Sequence, residues 1–398
     1  MSLTILFDLD DTLLGNDIDI FLGAYLTALS KHLSQFPANE MINNLLAGTK
    51  KMIIKDTPAN TLEETFDQRF YPALGVKKSD IAAQLDDFYT NIFPGLNGFT
   101  TYRPEAVTLV EACFQRGYQS VIATNPLFPR KAILHRLAWA GLPAEKYPFS
   151  LITSYETYHF AKPNPAFFAE VLARLGFPDQ PVVCIGNSLE DDIIPAARLG
   201  MPVYWLSDGK SSLPDWVHPL SAQGSLSDAL AWFDKVASLA PLCEFQLPDA
   251  FLPVLKAVPA TLDTIARGLS QSAWETRPEP GEWAPNEIVC HLRDVEGEVN
   301  LPRVDKILTE ETPFLAGEDT DAWATERDYL HQNGQTALKD FLIKRTDLFT
   351  RLNLISKSDW QKPARHAIFG PTNLQELASF ITTHDRTHLR QFQAACSY

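Results

Sequence analysis

Two kinds of apolar patterning divide the chain. Residues 3–9, Leu-Thr-Ile-Leu-Phe-Asp-Leu, form a short, nearly continuous apolar run rich in strand formers, as in a central parallel strand covered on both faces. Similar runs recur at 118–123, 149–152, 181–185 and 202–206. Between them a helical period predicts helices at 104–115, 129–140, 165–175 and 191–199, several opening on Pro and closing near Gly. Strand and helix alternate, so the sheet is expected to be parallel. The stretch 14–100 has helical periodicity only (Phe21, Leu22, Tyr25, Leu26, Leu29, then Leu45, Leu46, then Ile81, Leu85, Phe88) and reads as a helical insertion after the first strand. Residues 207–247 mix Ser, Gly, Pro and Asp around one helical pattern at 226–236, a closing helix followed by a linker. Beyond about 240 the pattern changes to long amphipathic segments at 251–269, 284–308, 335–352 and 374–395, separated by Pro- and Trp-rich loops with no strand. The expected architecture is an α/β doubly wound parallel sheet over 1–240 (core 1–13 and 101–207, insertion 14–100, closing helix and linker 208–240), followed by an all-α four-helix bundle over 241–398.

Length agrees with this division, since 398 residues exceed one ordinary core. With 45% apolar and 21% charged residues, no apolar run of membrane-spanning length and no leader pattern at Met1, a cytoplasmic protein without a membrane partner is expected. The formal net charge of −15 is spread along the chain, which argues against nucleic acid as a partner. Five widely spaced cysteines in mostly apolar surroundings read as reduced core thiols. An oligomeric state, a dimer included, stays open.

Asp8 and Asp10 stand two residues apart where the first strand ends, so their side chains are expected on one side, at the carboxyl edge of a parallel sheet where open α/β folds bind ligands. Three later segments also sit at strand ends or helix starts: Ile122-Ala123-Thr124-Asn125, with a hydroxyl and a backbone N–H for a phosphoryl oxygen; Ala161-Lys162-Pro163-Asn164-Pro165, with a cation; and Ile185-Gly186-Asn187-Ser188-Leu189-Glu190-Asp191-Asp192, with further carboxylates for a hard cation. In this order, across residues 1–207, the four segments resemble the motifs of the haloacid dehalogenase (HAD) superfamily. The resemblance implies a Mg²⁺-dependent phosphatase. Asp8 is then the nucleophile that forms an aspartyl-phosphate, and Asp10 the general acid and base. Thr124, Asn125 and Lys162 bind the phosphoryl group, and Asp8, Asp10 (through its carbonyl) and Asp192, with Asp191 beside it, hold Mg²⁺. One departure is Asn187, where the family often has Asp; an amide orients a metal-bound water without adding charge, and Asp191 is placed to compensate. Insertion 14–100 has the size and character of the family's cap. It implies a small phosphorylated metabolite: a sugar phosphate, a phosphoglycolate-like acid or a nucleoside monophosphate. Phe21, Tyr25, Phe66, Phe70 and Phe88 line its pocket or fill its core.

A second constellation lies in the bundle. His384 and His388 are four residues apart on one helix, on a face where both imidazoles reach a single ion. Together with His291 in Gly281-Glu282-Trp283-Ala284-Pro285-Asn286-Glu287-Ile288-Val289-Cys290-His291-Leu292, Trp360 and the Phe369-Gly370-Pro371-Thr372 turn, the pair resembles the DinB/YfiT-like four-helix metal-binding family over about 245–395. The resemblance implies that His291, His384 and His388 bind a divalent cation, Zn²⁺ or Ni²⁺. Asp294 and Glu298 are either proton acceptors for a metal-bound water or thiol, or solvated helix acids; Asp385 and Arg386 either support the ligands or pair elsewhere. The leading expectation is a tandem protein, a capped phosphatase fused to a metal-binding bundle. Its alternatives are a metal-dependent thiol transferase or hydrolase centred on the bundle, and a regulatory protein with a degraded phosphatase site.

Overall fold

The computed structural model describes residues 2–239, 243 and 245–396. The chain packs as two compact units, one formed by 1–56, 60–171 and 178–244, the other by 245–398 with the short segments 57–59 and 172–177. The boundary expected at 240 falls outside the described residues. Among them, no helix is long and apolar enough to cross a membrane.

In the first unit six parallel strands run in the order β5-β4-β1-β6-β7-β8. They are β1 Thr4–Phe7, β4 Gln119–Ile122, β5 Leu151–Ile152, β6 Val182–Gly186, β7 Val203–Leu206 and β8 Ala222–Gly224. β1 and β6 are wholly buried, as their unbroken apolar runs require for strands covered on both faces. The flanking helices are α5 Pro104–Gln115, α6 Arg130–Trp139, α7 Pro165–Arg174, α8 Ile194–Ala197 with a π turn before it, and α9 Leu226–Leu239. The insertion holds α1 Ile18–His32, α2 Ala38–Ile53, α3 Leu62–Ala73 and α4 Lys78–Asp87 around a core of its own that includes Phe21, Leu29, Met41, Phe88 and Phe93. Asp17 caps α1 by accepting from the Ile20 amide at 3.2 Å, and Thr61 with Glu64 forms a capping box on α3.

Two features correct the expectation for this unit. Strands β2 Leu14–Asn16 and β3 Thr100–Tyr102 pair antiparallel at the two ends of the insertion, which was read as helix throughout. Strand β8 extends the sheet inside the stretch read as linker. All three have only three residues, too few to display a period, and they exist because a neighbouring strand completes their hydrogen bonds.

The second unit is built on α10 Pro248–Ala266, α12 Pro285–Val295, α15 Gly334–Asn353 and α16 Leu374–Ala395, the four helices expected there. Short helices α11 Gln271–Glu275 and α14 Trp323–Glu326 lie between them, and α12 continues through a π turn into α13 Leu301–Thr309. The loops are not strand-free as expected. β9 Phe314–Leu315, β10 Pro363–His366 and β11 Gly370–Asn373 form a three-stranded sheet with β10 in the middle. Ala364 and His366 are buried and alternate with exposed neighbours, a period of two too brief to stand out beside Pro363 and Gly370. Gly370 has φ +78°, a left-handed conformation that suits glycine where the hairpin turns back.

Candidate active site and metal centre

Phe7 lies level with Ile122 on one side and Ile185 on the other, so Asp8 leaves the central strand between the ends of β4 and β6. Asp11 takes φ +54°, and the amides of Leu13 and Leu14 return to the Leu9 carbonyl at 2.9 and 2.8 Å. This tight loop brings the Thr12 hydroxyl back to donate to Asp8 Oδ2 at 2.9 Å. Thr12 also lies 3.3 Å from Asn187 Oδ1, which ties the amide at that position to the same site. The Lys162 ammonium donates to Asp8 Oδ1 at 2.7 Å and to Asp192 Oδ1 at 2.5 Å, and Asp192 Oδ2 accepts from the Ser188 amide at 3.0 Å. A Cβ on Gly186 would stand 2.3 Å from Asp192 Oδ2, so only glycine lets that carboxylate fold back over the end of β6.

Burial raises the Asp192 pKa and the neighbouring Asp8 raises it further, while Lys162 opposes both. For Lys162, burial pulls the pKa down, but Asp192 and Asp8 outweigh it and hold the ammonium above its ordinary range. Asp191 is half-buried and also raised, by burial and by Asp8 against the pull of Lys162. Two carboxylates, Asp8 and Asp192, share one buried ammonium with Asp191 close enough to feel both, a cluster of oxygen donors that fits a divalent cation.

The other expected residues also reach this edge. Asn125 Oδ1 accepts from the Lys162 amide at 3.2 Å, and the carbonyl of buried Thr124 accepts from the Thr153 hydroxyl at 2.6 Å. Asp10 has partners of its own. Its Oδ1 accepts from Asn16 Nδ2 at 2.9 Å, and its other oxygen pairs with Arg136. Arg136 is 2% exposed; burial lowers its pKa to about 10, with Asp8 opposing. Its Nε and Nη1 have no hydrogen-bond partner, and its guanidinium stands over the rings of Phe128 (5.1 Å) and Phe21 (5.9 Å). Arg136, Thr12 and Asn16 were not anticipated as site residues. A lone Arg between buried Ile133 and Leu137 on α6 was the legible sign of the first. Of the five aromatics expected as pocket or core, Tyr25, Phe66 and Phe70 line a cavity of about 290 Å³, while Phe21 and Phe88 belong to the core of the insertion.

In the second unit α12 carries His291 and α16 carries His384 and His388 one turn apart. His291 Nε2 and His384 Nε2 stand 3.0 Å apart, and ligand-capable atoms of all three rings lie within 4.8 Å of one another. Burial, with His388 and His384 adding to it, pushes the His291 pKa down to about 2; burial and His384 lower His388 to about 4. Gln391 Oε1 lies 2.7 Å from His388 Nδ1 and orients that ring, and Trp283 stacks on it, nearly parallel at 5.7 Å. Three imidazoles converging on one point, with His291 and His388 held neutral, fit a divalent cation.

Behind them lies a buried ion network. Arg345, wholly buried, donates from Nε to Glu296 at 2.6 Å and from Nη2 to Asp385 Oδ1 at 3.1 Å. Asp385 Oδ1 is 3.9 Å from His384 Nδ1, so the network abuts the ligand helix. Asp294 is buried within an ionic cluster, whereas Glu298 is the solvated helix acid, one of the two expectations, exposed and paired with Arg327. Asp294 accepts from Arg293, Arg327 and the Tyr329 hydroxyl, and Glu298 binds both ends of the Arg327 guanidinium. Arg386 packs over the Phe245 ring at 4.9 Å. His384 opens onto a cavity of about 160 Å³, where Asn300, Arg303, Glu318 and His366 supply polar groups that sequence reasoning did not connect to the site.

Comparison with known proteins agrees with both halves. The family profile of haloacid dehalogenase-like hydrolases matches residues 3–200, and that of the DinB superfamily matches residues 255–392. A phosphoglycolate phosphatase of Agrobacterium fabrum is 23% identical over 209 residues, 52% of this chain and 82% of that protein. Among solved structures, a 2-haloacid dehalogenase from Pseudomonas syringae pv. Tomato is 21% identical with a TM-score of 0.42, covering 60% of this chain and all of that one. YfiT from Bacillus subtilis, a four-helix bundle, is 22% identical with a TM-score of 0.34, covering 37% of this chain and 84% of that one.

Proposed function

The chain belongs over residues 3–200 to the haloacid dehalogenase-like hydrolases and over 255–392 to the DinB superfamily, and on that premise we propose a Mg²⁺-dependent phosphatase of small phosphate monoesters fused to a three-histidine divalent-metal centre. One arrangement carries the first half of this reading: Asp8 and Asp192 share the Lys162 ammonium where β1 ends between β4 and β6.

Asp8 attacks the phosphorus, and the bond from phosphorus to the alcohol oxygen breaks as the bond to the Asp8 carboxylate forms, giving an aspartyl-phosphate. Asp10 gives its proton to the departing alkoxide and then takes one from the water that hydrolyses the intermediate. Arg136, paired with Asp10, holds that carboxyl in place beside Asp8. Lys162 offsets charge on the nucleophile and on the transferring group, while Thr124 and Asn125 stand at the end of β4 to bind phosphoryl oxygens. Mg²⁺ would be held by Asp8, Asp192 and the Asp10 carbonyl, with Asp191 and Asn187 beside them, and when bound it supplies positive charge that lets two anions approach. Asn187 stays within the site, its amide oxygen 3.3 Å from the Thr12 hydroxyl that donates to Asp8.

Release of p-nitrophenol from p-nitrophenyl phosphate in Mg²⁺, abolished by a chelator and restored by added Mg²⁺, is the expected result. A wild-type protein inactive under those conditions is not a phosphatase.

For the bundle, we infer a bound Zn²⁺ or Ni²⁺ on His291, His384 and His388, with an open face toward the 160 Å³ cavity. Metal analysis of the full-length protein is expected to give one equivalent that survives chromatography and falls at least about tenfold in His384→Ala. Full occupancy in that variant would remove His384 from the ligand set.

A further inference from the structure

We propose that the phosphate ester cleaved at Asp8 is that of an apolar alcohol, aromatic or branched alkyl, whose carbon skeleton fills the 290 Å³ cavity under the insertion. This rests on the phosphatase reading above and narrows its substrate class, against the sugar phosphates, phosphoglycolate-like acids and nucleotides that the family resemblance suggested.

The cavity adjoins the loop that leaves β4 and is assigned on that ground as the leaving-group pocket, although no residue of the Asp8 cluster lines it. Its wall includes Leu127, Phe128 and Pro129, the residues that follow Thr124 and Asn125 off the end of β4. The Phe128 ring stands 5.1 Å from the Arg136 guanidinium, and Arg136 pairs with Asp10, the group that protonates the departing oxygen. In the proposed pose, with the phosphoryl group at Asp8 and its ester oxygen toward Asp10, the rest of the substrate lies on the Phe128 side.

The lining decides what fits. Of seventeen residues around the cavity twelve are apolar, four are tyrosines and one is Thr49; none is charged. Two of the tyrosines satisfy each other, Tyr25 and Tyr89 bonding hydroxyl to hydroxyl at 2.9 Å. Burial raises Tyr25 and Tyr71 to about 12, so neither offers an anion, and no Lys, Arg or His offers a cation. A carboxylate or a run of sugar hydroxyls would lose its water here and find no charged partner, only the hydroxyls of a few tyrosines and Thr49. An apolar group loses nothing of the kind. An engineered apolar cavity of about 150 Å³ binds benzene, so this one has room for roughly twelve carbon atoms.

The test compares esters of primary alcohols, so that leaving-group chemistry stays nearly constant. Full-length protein with Mg²⁺ is assayed on benzyl phosphate and n-octyl phosphate against 2-phosphoglycolate and glycerol 3-phosphate, with p-nitrophenyl phosphate as the reference for the chemistry. We expect kcat/KM for the apolar pair to exceed that for the polar pair by about tenfold to a hundredfold. Thr49→Phe, which places a ring in the cavity, is expected to shrink that ratio mainly through KM, and 1-octanol to inhibit competitively where glycerol does not. If p-nitrophenyl phosphate is cleaved and phosphoglycolate or glycerol phosphate is cleaved as well as the apolar esters, the apolar assignment falls and the phosphatase stands. If no ester is cleaved, both fall together.

Discussion

Asp8→Asn is expected to lower phosphate-ester hydrolysis by at least about 10³-fold without unfolding the protein. The amide is nearly isosteric with the carboxylate: its oxygen can accept from Lys162, which donates to Asp8 Oδ1 at 2.7 Å, and the Thr12 hydroxyl, which donates to Oδ2 at 2.9 Å, can turn to accept from the new NH2. What it lacks is a charged oxygen able to bond to phosphorus, so the loss is in kcat, about 4 kcal/mol of transition-state stabilisation. Folding should not suffer, because Lys162 keeps Asp192 at 2.5 Å. Burial and then Asp8 hold the Asp192 pKa above its ordinary value, and a carboxyl raised on folding loses stability as pH climbs above its unfolded pKa. Removing the Asp8 charge relieves part of that loss at neutral pH and withdraws an anion that favours the Lys162 and Arg136 cations, two opposed effects, so the metal-free variant should stay folded and melt close to wild type. Steady-state assay with calorimetry on one preparation checks both halves, and an Asn variant that keeps wild-type kcat would transfer the nucleophile's role elsewhere.

The second large effect is expected in the bundle, where Arg345→Met should destabilise the unit around α10, α15 and α16 by about 3–5 kcal/mol. Arg345 is the only cation bonded to Glu296 and Asp385 among the hydrogen bonds described, and both carboxylates are essentially without solvent. It also donates to the Leu255 carbonyl at 3.0 Å, joining α10 to α15 and α16. Methionine fills most of the volume but leaves two buried anions without a counter-charge. Hydrogen exchange of the α15 and α16 amides in the full-length protein reads the change as faster opening, by about a hundredfold or more. Adding Glu296→Gln and Asp385→Asn to Arg345→Met should restore much of the protection, because the charges that needed the guanidinium are gone. If Arg345→Met alone leaves exchange unchanged, the network contributes nothing to stability. Arg345→Lys should fall between, since one ammonium cannot reproduce a fork that serves two carboxylates.

Much of this was legible in the linear chain, for a physical reason that differs by element. Strands such as Thr4–Phe7 and Val182–Gly186 are buried on both faces, so their whole composition is apolar and they stand out locally. The long bundle helices are legible because a 3.6 period repeats over four or more turns, and the opening Pro of α5, α7 and α12 marks their first turn. Asp8 and Thr124 at strand ends and the His384/His388 pair follow from those elements, since placing a strand end or a helix face places its side chains, whereas Asp192, in the π turn after β6, was reached through the family resemblance.

Other features depended on neighbours that sequence patterning does not register. β2, β3, β8 and the β9–β11 sheet are two to four residues long and exist through hydrogen bonds to segments as distant as Leu14 is from Tyr102. Arg136 and Arg345 each interrupt an apolar helix face, and only the folded chain brings Asp10 to the one and Glu296 and Asp385 to the other. Whether the aromatics of the insertion form a core or a cavity was undecidable from spacing, because a helix face is apolar in either case.

By itself, then, the sequence determined the long helices and the fully buried strands, and which side chains stand on them: Asp8 after a buried strand, two histidines one helical turn apart. The tertiary structure alone decided the pairing of charges and the shape of empty space: Lys162 between Asp8 and Asp192, Arg136 on Asp10, and an uncharged cavity behind Phe128. Periodicity is a local property that burial imprints on composition, whereas a buried ion pair or a cavity is set by which distant surfaces meet.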